Sequence, residues 1–241
     1  DRGRLYAILD DGDQTLLWIL DSDGGLVLEQ QLGGRIHDAH LALDPEGSRL
    51  FLGREDYGDY GIAIIDLDSD QQIADIPLER APNALAWDGS NEQLLASHTY
   101  ADWISAIDPK VGRVRDVFAT AINLVDLALD PARGHVYVTD STERLRVLDS
   151  ESDQELAMLP AAGRITVDSP HGHFYTGGLG ASHVRIVDSD ELRQTAQIQT
   201  AAMPVADAYY GGLYLVDNGI FPTSLETLTT TGVIADSLPQ N

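Results

Sequence analysis

Apolar runs of four to seven residues, rich in Ile, Leu, Val, Ala and Tyr, follow one another along this chain, separated by polar links of Gly, Pro, Asp and Ser. Runs of that length between turn-forming residues read as β-strands. No window offers the long stripe that an amphipathic helix requires. The stretch from His40 to Leu78 shows the unit. Strands are expected at His40 to Leu43, Arg49 to Leu52, Gly61 to Asp66 and Gln72 to Leu78, joined by DPEGS, by a longer loop REDYGDY and by DSD.

The unit repeats, and two interleaved Asp series mark it. Asp44, Asp88, Asp130, Asp168 and Asp207 stand at intervals of 44, 42, 38 and 39 residues; Asp21, Asp66, Asp108, Asp149 and Asp188 stand at 45, 42, 41 and 39. Four strands per period of about 40 to 45 residues is the pattern of propeller blades. One blade cannot bury both of its faces, so neighbours must stack around an axis. By analogy with WD repeats, the strand before the Asp-Pro-x-Gly turn is the innermost. That puts His40 to Leu43, Ala84 to Trp87, Leu127 to Leu129, Ile165 to Val167 and Val205 to Ala208 inside, and the more polar Gln72 to Leu78 and Arg193 to Gln199 outside.

The first unit supplies only a second, third and fourth strand, at Leu5 to Leu9, Leu16 to Asp21 and Leu26 to Leu32. Full sets of four follow to the end of the chain. The expected fold class is therefore all-β: a β-propeller of four-stranded antiparallel blades, five full and one partial, as a single domain over residues 1–241. A six-bladed ring is expected, closed by about ten further residues carrying the missing inner strand beyond Asn241; a seven-bladed parent would need about 45 to 50 more residues.

The motifs GRLYAI at Gly3 to Ile8, LALDPEGSRLFLG at Leu41 to Gly53, IAIIDLDS at Ile62 to Ser69 and LALDPARGHVYVTD at Leu127 to Asp140 carry a further likeness. In them the chain resembles the YVTN-type β-propeller repeat family. The units at Ser90 to His98 and Tyr209 to Asp217 depart from that pattern. The resemblance implies the propeller fold, a bacterial or archaeal origin and, because many members are exported, an extracellular or periplasmic location. It does not imply one activity, because the fold hosts binding scaffolds and unrelated enzymes.

Composition narrows the function. With 39 acidic residues against 15 Lys and Arg, the formal net charge is −24, which opposes nucleic-acid binding. Lys110 is the sole lysine. The absence of Cys removes disulfides, thiolate metal sites and a Cys nucleophile. No apolar run approaches the roughly 20 residues of a membrane span.

Many carboxylates fall in the turns between third and fourth strands. Asp66-x-Asp68-x-Asp70 has the alternation of a calcium loop, but Gln71 and Pro77 stand where an EF-hand needs Gly and Glu. Capping of tight turns is the favoured reading. The opposite face, where the loops between second and third strands meet those entering the inner strands, is chemically mixed. Its candidate ligand-binding residues are Arg35, His37, Asp38, Arg54, Tyr57, Tyr60, Asn83, His98, Tyr100, Trp103, Asn123, Asp126, Arg164 and His183. Variable loops on a rigid scaffold are where function is placed.

Catalytic patterns are weak. His37 and His40 flank a strand entrance, where alternation would point their side chains to different faces. Lactonase-like six-bladed propellers hold a divalent cation with Glu, Asn and Asp; Asn83, Asn123 and Asp126 lie in comparable places, but no Glu completes the set. Ser97 with His98 and Ser182 with His183 are bare neighbours without a nucleophile motif. The glycines at Gly177, Gly178 and Gly180 precede no helix that could bind phosphate. Trp18 and Trp87 read as core, and Trp103 as a loop-exit aromatic. The chain thus reads as a non-catalytic binding propeller for a protein, peptide or glycan, without a cofactor. A cation-dependent hydrolase or a redox-associated propeller is the alternative.

Overall fold

The computed structural model describes residues 4–10, 15–32, 40–44, 46–56, 58–98, 100–119, 123–207, 212–216, 226–229 and 234–237. Among them, one three-stranded sheet is followed by five four-stranded sheets, and within each sheet chain neighbours are sheet neighbours. The first sheet holds β1 (Leu5–Asp10), β2 (Thr15–Leu20) and β3 (Leu26–Leu32). The second holds β4 (Leu41–Asp44), β5 (Arg49–Asp56), β6 (Asp59–Asp66) and β7 (Gln71–Leu78). The third holds β8 (Pro82–Asp88), β9 (Gln93–His98), β10 (Trp103–Asp108) and β11 (Arg113–Ala119). The fourth holds β12 (Leu124–Asp130), β13 (His135–Asp140), β14 (Arg144–Asp149) and β15 (Glu155–Pro160). The fifth holds β16 (Arg164–Asp168), β17 (His173–Gly177), β18 (Val184–Asp188) and β19 (Arg193–Ile198), with a 3₁₀ turn at Ser169–His171. The sixth holds β20 (Met203–Asp207), β21 (Gly212–Val216), β22 (Glu226–Thr229) and β23 (Ile234–Ser237).

The alternation of apolar and polar residues places these strands well, with one correction. The segment REDYGDY, expected to be a long loop, is mostly strand: β5 runs to Asp56 and β6 begins at Asp59. Arg54 carries the pairing onward by bonding Asp59 at 3.2 Å and Asp75 of β7 at 2.6 Å. Gly61 makes room for this bridge, since a β-carbon there would lie 3.0 Å from the Arg54 guanidinium and 2.9 Å from Asp75 Oδ1.

The chain divides into two compact units. One comprises Asp1–Trp87, Glu92–Thr99 and Ser105–Val117; the other comprises Asp88–Asn91, Tyr100–Ile104 and Phe118–Asn241. In the first, Leu17 and Ile19 of β2 pack with Leu50, Leu52, Ala63 and Ile65, and the opposite face of the second sheet buries Phe51, Ile62, Ile64 and Ile76 with Leu85 and Leu94. In the second, Tyr137, Leu145 and Val147 pack against Ile165, Phe174 and Val187, while Tyr175 and Val184 pack against Leu213 and Leu215. β6 is therefore buried on both faces, which is why it reads as the near-continuous apolar run GIAII. Trp18 and Trp87, expected in the core, are only half-buried. Trp18 Nε1 donates to the Glu29 carboxylate at 2.9 Å, and Trp87 stacks on Phe51 at 5.4 Å with the Arg49 guanidinium over both rings.

The fourth strands are exposed, as their polarity predicts: β7 and β19 have a solvent-facing residue at nearly every position. In five sheets this outer strand carries one extra residue at the same place. Val27, Ile73, Leu156, Thr195 and Ala235 each stand unpaired beside the third strand. A bulge bends the strand and interrupts its ladder, which blunts an edge that could otherwise pair with another chain.

Candidate functional site

The two Asp series come together at one edge of the sheets. Cross-strand register aligns Asp44, Arg49 and Asp66 in the second sheet, Asp130, His135 and Asp149 in the fourth, and Asp168, His173 and Asp188 in the fifth. The inner-strand members Asp44, Asp88, Asp130 and Asp168 are buried, and each accepts a donor from its own turn. Asp44 accepts from the Gly47 N–H and the Arg49 guanidinium; Asp88 accepts from the Ser90 and Asn91 N–H groups and the Asn91 amide. Asp130 accepts from the Ala132 N–H, the Ser169 hydroxyl and Arg133, while Asp168 takes the Nδ1 of His171 at 2.7 Å. The third-strand members cap the following turn: Asp21, Asp66, Asp108, Asp149 and Asp188 each accept a backbone N–H two to four residues ahead. These carboxylates therefore serve as turn caps. Asp66 Oδ1 takes both the N–H and the hydroxyl of Ser69, at 2.8 and 2.7 Å.

The opposite edge carries the candidate residues of the mixed face, of which Arg35, His37, Asp38 and Tyr57 lie outside the described residues. In the first unit, Arg54 and Tyr60 sit within the β5–β6 hairpin, where Arg54 is engaged in its two ion pairs and Tyr60 is half-buried. Asn83 lies half-buried in β8. His98 ends β9 and is buried, its Nε2 on the Ser105 hydroxyl at 2.8 Å and its Nδ1 facing the Arg80 carbonyl at 3.4 Å. The neighbour in sequence, Ser97, is not its partner, so the Ser97–His98 dyad does not form. Burial holds the His98 imidazole below its ordinary pKa, and the nearby Arg80 charge acts in the same direction against the Arg80 carbonyl.

In the second unit the edge is joined by a chain of backbone bonds. The Leu124 N–H donates to the Ala101 carbonyl at 3.1 Å, Ser141 to Asn123 at 3.0 Å and Ala161 to Glu143 at 3.1 Å. This brings the Tyr100–Trp103 loop to the Asn123 turn, and that turn to the β13–β14 loop. Asp126 and Arg164 meet here. Asp126 is buried, and its Oδ2 accepts the Ile165 N–H at 2.7 Å while Oδ1 stands 3.5 Å from Arg164. Burial raises its carboxyl pKa, and the Ile165 N–H and Arg164 oppose that rise. One sheet on, the Thr166 hydroxyl oxygen accepts the Ala206 N–H at 3.1 Å in the same manner. Both bonds link residues about one repeat apart, tying one inner strand to the next. His183 Nδ1 faces the Ser182 hydroxyl at 2.7 Å beside β18.

Asp126 is not free to ligate a lactonase-like cation. Asp126 is committed to Ile165 and to a guanidinium, whose charge would oppose a metal ion. Asn123 sits exposed in a left-handed turn at φ 51° with its carbonyl taken by Ser141. Among the described residues no group of three or more His, Asp and Glu side chains could hold a metal ion. Gly177 at the end of β17 and Gly178 in the loop after it serve close packing. A β-carbon on Gly177 would lie 2.7 Å from Val184, and one on Gly178 would lie 2.5 Å from Met203.

What the edge does offer is exposure. Tyr100 is 81% exposed, Leu179 is 51% exposed, and Asp102 and Glu143 are exposed as well. Trp103 opens β10 half-buried. The repeat pattern does not reveal the inner-strand links, although the 39-residue separation of Asp126 and Ile165, which matches the repeat, is the signal that could find them.

No family model and no curated protein matches the chain. Solved structures do. A chain in a crystal structure of a mitotic checkpoint complex superposes with TM-score 0.74 at 11% identity, over 100% of this chain and 77% of that one. The WD40 domain of Toxoplasma gondii coronin superposes with TM-score 0.72 at 15% identity, over 95% of this chain but only 65% of that one. The fold is a WD40-like β-propeller. Among the described residues no helix is long and apolar enough to cross a membrane.

Proposed function

We propose that this chain is a protein-binding propeller module that recognises a protein or peptide through the edge bearing Tyr100, Trp103, Glu143 and Leu179. The observation that carries this reading is the contrast in side-chain use. On the Asp edge the carboxylates serve their own turns, whereas the loop edge presents a nearly free aromatic ring beside polar groups. Exposed aromatics on fixed loops are the usual anchors of interfaces. The structural likeness to a chain from a checkpoint complex and to a WD40 domain agrees with a scaffold role. Membership of the YVTN-type family, and with it an extracellular or periplasmic location, is the narrower form of this proposal and is supported by the motifs at Gly3, Leu41, Ile62 and Leu127.

Photo-cross-linking tests the assignment of the edge. With p-benzoylphenylalanine at position 100, partner adducts should form on illumination in extracts of the source cells. The same residue at position 151, on the Asp edge, should give none. Adducts at 151 alone would move the binding surface to the opposite edge.

A further inference from the structure

Two bulky side chains on the loop edge of the second unit are held in the left-handed backbone region: Tyr100 at φ 56° and Leu179 at φ 49°. That region is unfavourable for residues bearing a β-carbon and is avoided by all but Gly, Asn and Asp. Neither side chain recovers the cost by burial, since both rank among the exposed large apolar residues. The loops are not frayed. Ala101 is bonded to Leu124, and the Ala181 N–H closes on the Gly178 carbonyl at 2.9 Å, with Gly178 packed on Met203. Rigid loops that display apolar groups at a conformational cost, with no return inside the fold, point to a use outside it.

Charge gives the chemistry of the occupant. Acidic residues outnumber Lys and Arg by 39 to 15. The cations are in large part tied to the chain's own carboxylates, as Arg133 is to Asp130 and Asp190, Arg164 to Asp126 and Arg54 to Asp59 and Asp75. The uncompensated charge is negative, so a cationic partner is drawn in faster and an acidic one is repelled. A tyrosine ring face attracts a guanidinium or ammonium group, and the exposed carboxylate of Asp102 lies two residues from Tyr100.

Resting on the reading that this edge binds protein, we propose that Tyr100 and Leu179 are the anchor residues for a peptide segment carrying both an Arg or Lys and an apolar residue. Tyr100 and Asp102 take the cation, and Leu179 takes the apolar residue.

The test is selection of random peptides displayed on phage against the whole chain, followed by titration of the synthesised winners. The expected winners are rich in Arg or Lys paired with an apolar residue, and Tyr100→Ala weakens them by about tenfold or more. Tyr100→Gly and Leu179→Gly, which relieve the backbone, weaken the same peptides while leaving the melting temperature unchanged or raised. Winners that are neutral or acidic yet still depend on Tyr100 would overturn the cationic partner and leave the binding edge standing. Cationic winners indifferent to all three variants, or no winners, would overturn the proposal together with the edge.

Discussion

The two edges of the sheets use the same kinds of residue to opposite ends. On the turn edge, Asp44, Asp88, Asp130 and Asp168 are buried, return at the repeat interval and each accept at least one donor from their own turn. On the loop edge, Tyr100, Glu143 and Leu179 are exposed and differ in kind from sheet to sheet. A repeated position answers a requirement that every blade shares, which is to close a tight turn beside a packed inner strand. A position that differs between repeats is released from that requirement. Asp126 warns against a simple division, because it lies toward the loop edge yet behaves as a buried link.

The largest effect is expected on the turn edge. Asp130→Ala leaves the Ala132 N–H and the Ser169 hydroxyl without their acceptor and removes one of the two carboxylates that hold Arg133, which keeps Asp190. Orphaning a hydroxyl and an N–H at once costs about 2–4 kcal/mol, readable as a fall in the urea midpoint. A loss no larger than that of a surface substitution would erase the distinction between the edges. Asp126→Ala should cost about 1–3 kcal/mol by orphaning the Ile165 N–H; a near-neutral result would return Asp126 to the free loop residues.

Backbone conformation gives a pair of opposite signs. Gly134 on the turn edge sits at φ 63°, so Gly134→Ala should destabilise by about 1 kcal/mol. Tyr100→Gly relieves similar strain but adds freedom to the unfolded chain, so the net gain is about 0.5 kcal/mol or less. Differential scanning calorimetry on the two variants would separate them. Equal destabilisation by both would mean that the Tyr100 side chain serves the fold.

The smallest expected effect is a pH dependence through His98. Its folded pKa lies below the unfolded value of 6.5, so the unfolded chain binds more protons as pH drops. Stability from this group is complete above the unfolded pKa and declines as pH falls from there toward the folded pKa. His98→Gln should flatten that part of the urea midpoint profile. An unchanged slope would remove His98 from the buried groups that matter.

Much of the fold was legible because a strand announces itself locally. GIAII between Tyr60 and Asp66, or HVYVT between Gly134 and Asp140, needs no distant information, and the Asp series set the phase of the repeat. The extension of β5 through Arg54 was not legible, because it depends on Asp75 across the sheet and on the room left at Gly61. The bulges at Val27, Ile73 and Leu156 were hidden in the same way, since register belongs to a pair of strands. At the candidate site, the residues were visible as types, but their duties were set by neighbours one repeat away. In the sequence Asp126 and His98 are candidate ligand-binding residues; in the fold Ile165 and Arg164 engage the first and Ser105 the second.

The central claim is that binding belongs to the edge that varies. Hydrogen–deuterium exchange of the whole chain, with and without a selected cationic peptide, tests it most directly. Exchange should slow in the segments 100–104, 141–144 and 178–183, with the turns at 131–134, 150–153 and 189–192 unchanged. Protection confined to those turns would contradict it.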